Sequence, residues 1–518
     1  MFADTIKNDI PIEKTKQTQY HLNWQSIVFW GAVMGLVVIA IGMRLYHLGL
    51  PFDRDGYDEG VYWQTLRSMS MGNILYQQIF YSQPPFFILS TFPGYILLGS
   101  SLWSARLGIA LVSLLGLPGA FLLGKALSGR LGAIAAMLLL IANPLYLTQS
   151  QTIEAEVSST ACTLLAIGLT YLWWEHPEGT RGFFYAALTG IAITLSILCK
   201  LLSASIFVPI ALLMVARLWQ IWHKKPGTRL IGLLPILVVI TTCILTFVVF
   251  LLPFSGSYQA MLQSAITFHS AAAQTYSYSQ QANISTLQNA LTSLLTLTAF
   301  FGMVAALLRR DWRVVPLIAW FIATLYLLWQ QVPLFQHHLI ALIPPLIALS
   351  VMGIGNQSLQ SKETSNNVIS TATPYFTWIA LALIIITALF NIQQDRLYYR
   401  TAVAKSASEF TQLESKIATD LRLDTGPNQL VVTDAQFIAG LADRNTPPAL
   451  VDTSAVRITS NYLTLAQLEN TTSQPQVHAV LFFTGRFYLP NVAGYHSWVA
   501  QHFHLLHNYG AGKELWVR

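Results

Sequence analysis

The sequence predicts a polytopic α-helical membrane protein with an extracytoplasmic α/β domain at its C-terminal end. Three observations lead there. Of 518 residues, 54% are apolar and only 10% charged, and the mean hydropathy is +0.51, far from an ordinary soluble domain. The apolar residues gather in runs close to 20 long, the length that carries a helix across a hydrocarbon core of roughly 30 Å. After residue 391 those runs give way to short apolar strands set between helical and polar stretches.

Polar or Pro/Gly breaks separate eleven runs, at 25–46, 104–124, 131–149, 157–174, 183–199, 203–222, 230–252, 287–307, 314–330, 338–354 and 374–391. The run at 157–174 is the least apolar, because Ser and Thr interrupt it. Lys and Arg set the orientation, since cytoplasmic loops beside membrane helices are enriched in them. With residues 1–24 as a cytoplasmic leader, alternate connections hold fourteen cations, Lys7, Lys125, Arg217 and Lys362 among them. The other side, up to residue 391, holds five: Arg44, Arg54, Arg67, Arg106 and Lys200. The expectation is a multi-pass protein of the plasma membrane, with its N-terminus cytoplasmic and its C-terminal domain outside. The polar leader and Arg44 just behind the first run favour a retained anchor over a cleaved signal. The net charge of +6 then reports topology and calls for no nucleic-acid partner.

Cys162, Cys199 and Cys243 lie far apart within apolar runs and read as packing residues. "GNQSLQSKETSNN", from residue 355, reads as a flexible cytoplasmic loop. Residues 392–518 form the external domain, with strands expected at "QLVVTD", "PALVD", "AVLFFT" and "ELWVR" and helices at "TLAQLEN" and "HSWVAQHF". His496, His502, His504 and His507 cluster there, at a spacing that crosses a helix end and suits solvent better than a metal.

The transmembrane part, 25–391, has its most informative stretch in the external loop 49–103. "DRDGYDEG" places Asp53, Asp55, Asp58 and Glu59 directly behind the first run. Hydrated loop acids are the plain reading. Yet the membrane domain's other external acids, Glu154 and Glu156 in "QSQTIEAEV", fall on the next external turn. Two acidic spots on successive turns can face one cavity, and ionisable groups at a membrane interface are commonly functional. "YSQPPFFILSTFPGYILLG" is aromatic and Pro-broken, so it lies along the membrane surface or re-enters it. Arg106 and Lys200 sit at the outer ends of later runs, either as snorkelling anchors or as a phosphate clamp. Carboxylates facing such cations suit sugar transfer from a lipid phosphate, where cations hold the leaving phosphate and a carboxylate takes the acceptor proton.

At these residues the sequence resembles the GT-C-fold glycosyltransferases that use polyprenyl-phosphate sugars, among them protein O-mannosyltransferases and the aminoarabinose transferases that modify lipid A. The matching stretches are "YDEGVY" from 57, "QPPFF" from 83, "ARLGIALVSLLG" from 105, "IEAEVSS" from 153, "LSILCKLLS" from 195 and "HHLIALIPPLIAL" from 337. The resemblance implies Asp58 as the base, supported by Glu59, with Glu156 or its neighbour Glu154 as the second acid. It implies Arg106 and Lys200 on the donor phosphate. Gln83 stands in this binding set where some relatives have Lys or an acid, and His337 and His338 stand where Arg is common. His269, in an external loop, is the residue that would reach a divalent metal, and metal use stays open. The partners implied are a polyprenyl-phosphate-linked sugar and a lipid, glycan or protein acceptor at the cell envelope. The expected function is an inverting glycosyltransferase; the alternative is a multi-span transporter or lipid-linked-sugar flippase.

Overall fold

A computed structural model describes residues 24–223, 226–275, 280–355 and 368–518. Residues 1–23, expected as a cytoplasmic leader, Lys224, Lys225 and the loop around Lys362 lie outside the described residues. All eleven apolar runs are largely helical. Seven helices are long and apolar enough to cross a membrane, or eight if the pair Gln281–Leu291 and Leu294–Leu308, bent by 73°, counts as one. Shorter apolar helices occupy Phe86–Leu97, Val314–Gln330 and Gln336–Met352. Twelve residues at Phe86–Leu97 are too few for a crossing, as its Pro pairs suggested.

Small residues decide how the bundle packs. The helical stretch Gly116–Ile141 breaks at Ser128 and Gly129, where Gly129 adopts φ +66°. The two halves fold back so closely that a side chain on Gly124 would strike the Gly132 carbonyl and the Ala136 methyl, which separates the runs at 104–124 and 131–149. Helix Ala155–Glu175 lies at the centre, with 94% of its most apolar window buried. Its Ser and Thr, which weaken its apolar pattern, make the interhelix contacts: Ser159 Oγ donates to the Ser196 carbonyl at 3.1 Å, and Thr163 and Ser196 hydroxyls meet at 2.6 Å. Helices associate in lipid through such close, small-residue faces.

The last membrane helix, Val368–Ser406, continues well past the expected end at 391. Its last turns dock on the end of the first helix and the loop that follows it: Tyr398 bonds Arg54, Tyr399 bonds the Met43 carbonyl, and Lys405 Nζ donates to the Asp53 carbonyl at 2.9 Å. Beyond it, helix Glu409–Asp424 leads into a sheet of β1 (Leu430–Thr433), β2 (Val477–Phe482), β3 (His504–Gly510) and β4 (Lys513–Val517). The order is β1-β2-β4-β3, with β1 parallel to β2 and the other pairs antiparallel. Val432, Val480 and Phe482 face one apolar core, and Val431, Ala479 and Leu481 the other, as strand alternation requires.

Helices Leu465–Thr472 and Tyr495–His502 form at "TLAQLEN" and "HSWVAQHF". "PALVD" instead makes a 3-10 turn, Pro448–Leu450, because consecutive prolines remove the amide donors a strand needs. β3 carries no alternation in its sequence: it is an edge strand, and its leucines are exposed rather than alternating inward. Three of the four clustered histidines go separate ways. His496 pairs with Glu514 at 2.8 Å, His507 with Asp424 at 3.2 Å, and His502 stacks on Trp498.

Candidate active site

The four carboxylates of "DRDGYDEG" receive four different environments. Asp53 Oδ1 accepts the amides of Asp55 and Gly56 at 3.0 and 2.8 Å, closing a turn in which Gly56 adopts φ +103°. That turn starts helix Asp58–Ser70 and leaves both Asp58 and Glu59 in its first turn, where the helix dipole favours negative charge. Glu59 points inward and is fully buried against Arg106. Asp55 accepts from His337 Nδ1 at 3.0 Å. Asp58 lines an open cavity and makes no side-chain hydrogen bond among the described residues.

Arg106 does not reach that cavity. Its Nε and Nη2 bond both Glu59 oxygens at 2.8 and 2.7 Å, and its remaining donors go to the carbonyls of Leu48, Leu50 and Phe52. Every guanidinium N–H is occupied, so none is left for a phosphate. Glu59 in turn accepts the amides of Arg54 and Ile153 at 2.8 and 3.2 Å. The pair ties the end of the first helix, the acidic loop and the turn at Ile153 together. This departs from the phosphate-binding place expected for Arg106 and the supporting place beside Asp58 expected for Glu59.

The cavity has a volume of about 880 Å³. Asp55 and Asp58 line it together with Gln83, Lys200, His269, His337 and His338, and Tyr57 forms part of the same wall. Lys200 contacts Glu156 at the edge of the cavity. His269 Nε2 lies 2.8 Å from the Ser82 carbonyl and makes no carboxylate contact among the described residues. The C-terminal domain closes one side through Asp452, Ser454 and Arg486. These last three are not legible in the sequence, since neither "LVDTS" nor "TGRFY" has a pattern tied to chemistry.

His337 is the hub behind the cavity surface. Besides Asp55, its Nδ1 lies 3.8 Å from Glu154 Oε1 and its Nε2 lies 3.5 Å from Glu156 Oε1, while His338 Nε2 is 3.7 Å from the same Glu156 oxygen. Two sets have ligand atoms within 4.8 Å of one another: Glu156 with His337 and His338, and Asp55 with Glu154 and His337. The second fits a divalent cation better. Both Glu154 oxygens are buried without a hydrogen-bond partner, whereas Glu156 is already neutralised by Lys200. Such a cation would supply charge stabilisation to departing oxygens. His269 belongs to neither set.

Burial and its neighbours push Asp55 and Asp58 apart. Burial, reinforced by the negative charge of Asp55, raises Asp58 to about 7. Burial also acts upward on Asp55, but the hydrogen bond and the positive charge of His337 outweigh it and hold Asp55 at about 2. One carboxylate is thus fixed in its charged form and the other is poised to exchange a proton near neutral pH, the division of labour seen when paired acids take different roles.

Comparison with known proteins extends this picture. Residues 82–246 match the family model for dolichyl-phosphate-mannose-protein mannosyltransferase. No curated protein matches the chain in sequence. Among solved structures, the chain is similar to ArnT from Cupriavidus metallidurans bound to undecaprenyl phosphate, at 13% identity and a TM-score of 0.63 over 96% of this chain and 98% of that one. It is also similar to the archaeal oligosaccharyltransferase AglB from Archaeoglobus fulgidus, in complex with an inhibitory peptide and a dolichol-phosphate. That likeness has 15% identity and a TM-score of 0.51, over 92% and 71% of the two chains. The fold is therefore the GT-C fold, in a multi-pass membrane protein with a small C-terminal sheet domain.

Proposed function

We propose that this GT-C-fold chain is a membrane glycosyltransferase that transfers one sugar from a polyprenyl phosphate to an acceptor hydroxyl at the extracytoplasmic face. The observation that carries the proposal is the pairing, on one cavity, of an unbonded carboxylate raised to about 7, Asp58, with a lysine at the outer end of a membrane helix, Lys200. Asp58 takes the acceptor proton as the acceptor oxygen bonds to the anomeric carbon. The bond from that carbon to the phosphate oxygen breaks, and polyprenyl phosphate leaves with the electron pair. Lys200 meets its negative charge, with Gln83 and His338 beside it on the cavity wall. A single displacement of this kind inverts the anomeric centre.

Asp55 is the fixed negative neighbour, and Glu156 holds Lys200 until phosphate arrives. Glu59 and Arg106 act through the scaffold: they set the entry of helix Asp58–Ser70 and so the place of Asp58. The matches to ArnT and to the mannosyltransferase family model support the donor class, since that ArnT structure holds undecaprenyl phosphate. The carboxylates and Lys200 gather at helix ends rather than midway along broken helices, which favours transfer over transport. We place the protein in the plasma membrane with eleven spans, its N-terminus cytoplasmic and its C-terminal domain outside, on the distribution of Lys and Arg. Incubating the purified protein with polyprenyl-phosphate sugars and an envelope lipid extract tests the proposal. Labelled sugar should move to an acceptor; no transfer from any polyprenyl-phosphate donor would contradict it.

A further inference from the structure

The C-terminal domain contributes a cation to the cavity that the transfer chemistry above leaves unused. Arg486 follows β2 in a turn held by Asp434, whose carboxylate accepts the amides of Phe483, Thr484 and Arg486 at 2.8, 3.1 and 2.9 Å. Gly485 precedes it at φ +86°, a conformation that lets the turn aim the arginine back toward the membrane domain. The guanidinium lies over the Tyr57 ring, with Cζ 3.7 Å from the ring centroid. Tyr57 is itself clamped, because its hydroxyl accepts the Thr453 amide at 2.8 Å.

Stacking fixes the plane of the guanidinium and leaves its edge free. Among the described residues no carboxylate lies within ion-pair distance of Arg486, and its one side-chain bond is a long 3.5 Å contact from Nη1 to the Asp434 carbonyl. A half-buried cation that lines a cavity, is held flat on an aromatic face and has unoccupied donors is a fork for an oxyanion. Tyr57 immediately precedes Asp58. Arg486, on the Tyr57 ring, and Asp58 line the same cavity, so an oxyanion at Arg486 shares that cavity with the carboxylate that takes the acceptor proton, whereas Lys200 comes from the end of a membrane helix.

We propose that Arg486 is an acceptor subsite: the molecule that receives the sugar carries a phosphate or carboxylate close to its reacting hydroxyl, and Arg486 binds that group. The proposal rests on Asp58 as the base of the transfer. Asp452 lines the same cavity, where its negative charge opposes a bound anion.

The test measures binding to the full-length protein in nanodiscs, by calorimetry or ligand-observed NMR, with four probes: glycerol 3-phosphate, glycerate, glycerol and undecaprenyl phosphate. Arg486→Gln should weaken glycerol 3-phosphate or glycerate roughly 10- to 150-fold, the cost of a lost charge-assisted contact. Undecaprenyl phosphate should stay within about twofold, and glycerol should show no dependence on Arg486. Asp452→Asn should tighten the anions, which loss of folding does not do, and it carries the test if Arg486→Gln fails to fold. The proposal is overturned if wild-type protein prefers neither anion to glycerol, if Arg486→Gln leaves both anions unchanged, or if it weakens undecaprenyl phosphate instead. Failure of wild-type protein to bind undecaprenyl phosphate is a separate result and counts against the transfer function itself.

Discussion

Arg106 and Glu59 form a bidentate ion pair in which neither side chain is exposed, with Nε to Oε1 at 2.8 Å and Nη2 to Oε2 at 2.7 Å. Removing one member of a buried pair leaves an uncompensated charge and costs about 3–5 kcal/mol. Arg106→Ala should therefore lower the thermal midpoint in detergent sharply, and Arg106→Met with Glu59→Leu should recover much of the loss. Donor affinity per folded molecule should not change. A well-folded Arg106→Ala protein that had lost donor binding would return Arg106 to the phosphate.

Lys200 should behave in the opposite way. Its ammonium lines the cavity and touches Glu156, so a phosphate can take it over from the carboxylate. Lys200→Ala should fold and lose about 1.5–3 kcal/mol of donor binding, roughly 10- to 150-fold. Glu156→Gln should keep donor affinity or raise it. Equal losses in both variants would mean that the pair, rather than the cation, is what the site needs.

The helix that carries Asp58 is also bolted to the C-terminal domain. A methyl group on Gly60 would lie 2.5 Å from the Phe437 amide nitrogen, and Gln64 spans the seam with bonds to the Arg444 carbonyl at 3.0 Å and the Thr446 amide at 3.2 Å. Gly60→Ala should cost about 1–3 kcal/mol through overpacking. Because it displaces Asp58, it should also reduce turnover more than donor affinity. Parallel losses of both would indicate general disruption.

Much of the architecture was legible because lipid imposes one repeat length on every crossing. The run at 157–174 is the least apolar for a physical reason: its Ser and Thr weaken hydropathy yet bond across helices, as Thr163 does with Ser196. Asp58, Gln83, Lys200 and His269, expected near one another from the order of their motifs along the chain, line one cavity. The place of Arg106 was not legible, because a cation at a helix end can face lipid, a ligand or a carboxylate elsewhere, and its partner is 47 residues away. Arg486 and Asp452 were beyond sequence reasoning. The contact that brings their domain to the loop, Tyr57 with Thr453, spans 396 residues.

Orientation has its own check. Cysteines placed near Lys362 and after Arg518 should be labelled by impermeant maleimide from opposite sides of sealed vesicles. Labelling of both from one side would contradict the eleven-span arrangement.

Single-turnover sugar transfer by Asp58→Asn, with donor binding measured on the same preparation, tests the central claim most directly. The substitution keeps the shape of the side chain and removes its basicity, so transfer should fall by about 10²- to 10⁴-fold while donor affinity is retained. In wild-type protein the rate should rise as pH is raised through about 7, where Asp58 gives up its proton and becomes competent as a base. Near-normal transfer by Asp58→Asn, or a larger loss in Asp55→Asn, would contradict the assignment of Asp58 as the group that activates the acceptor.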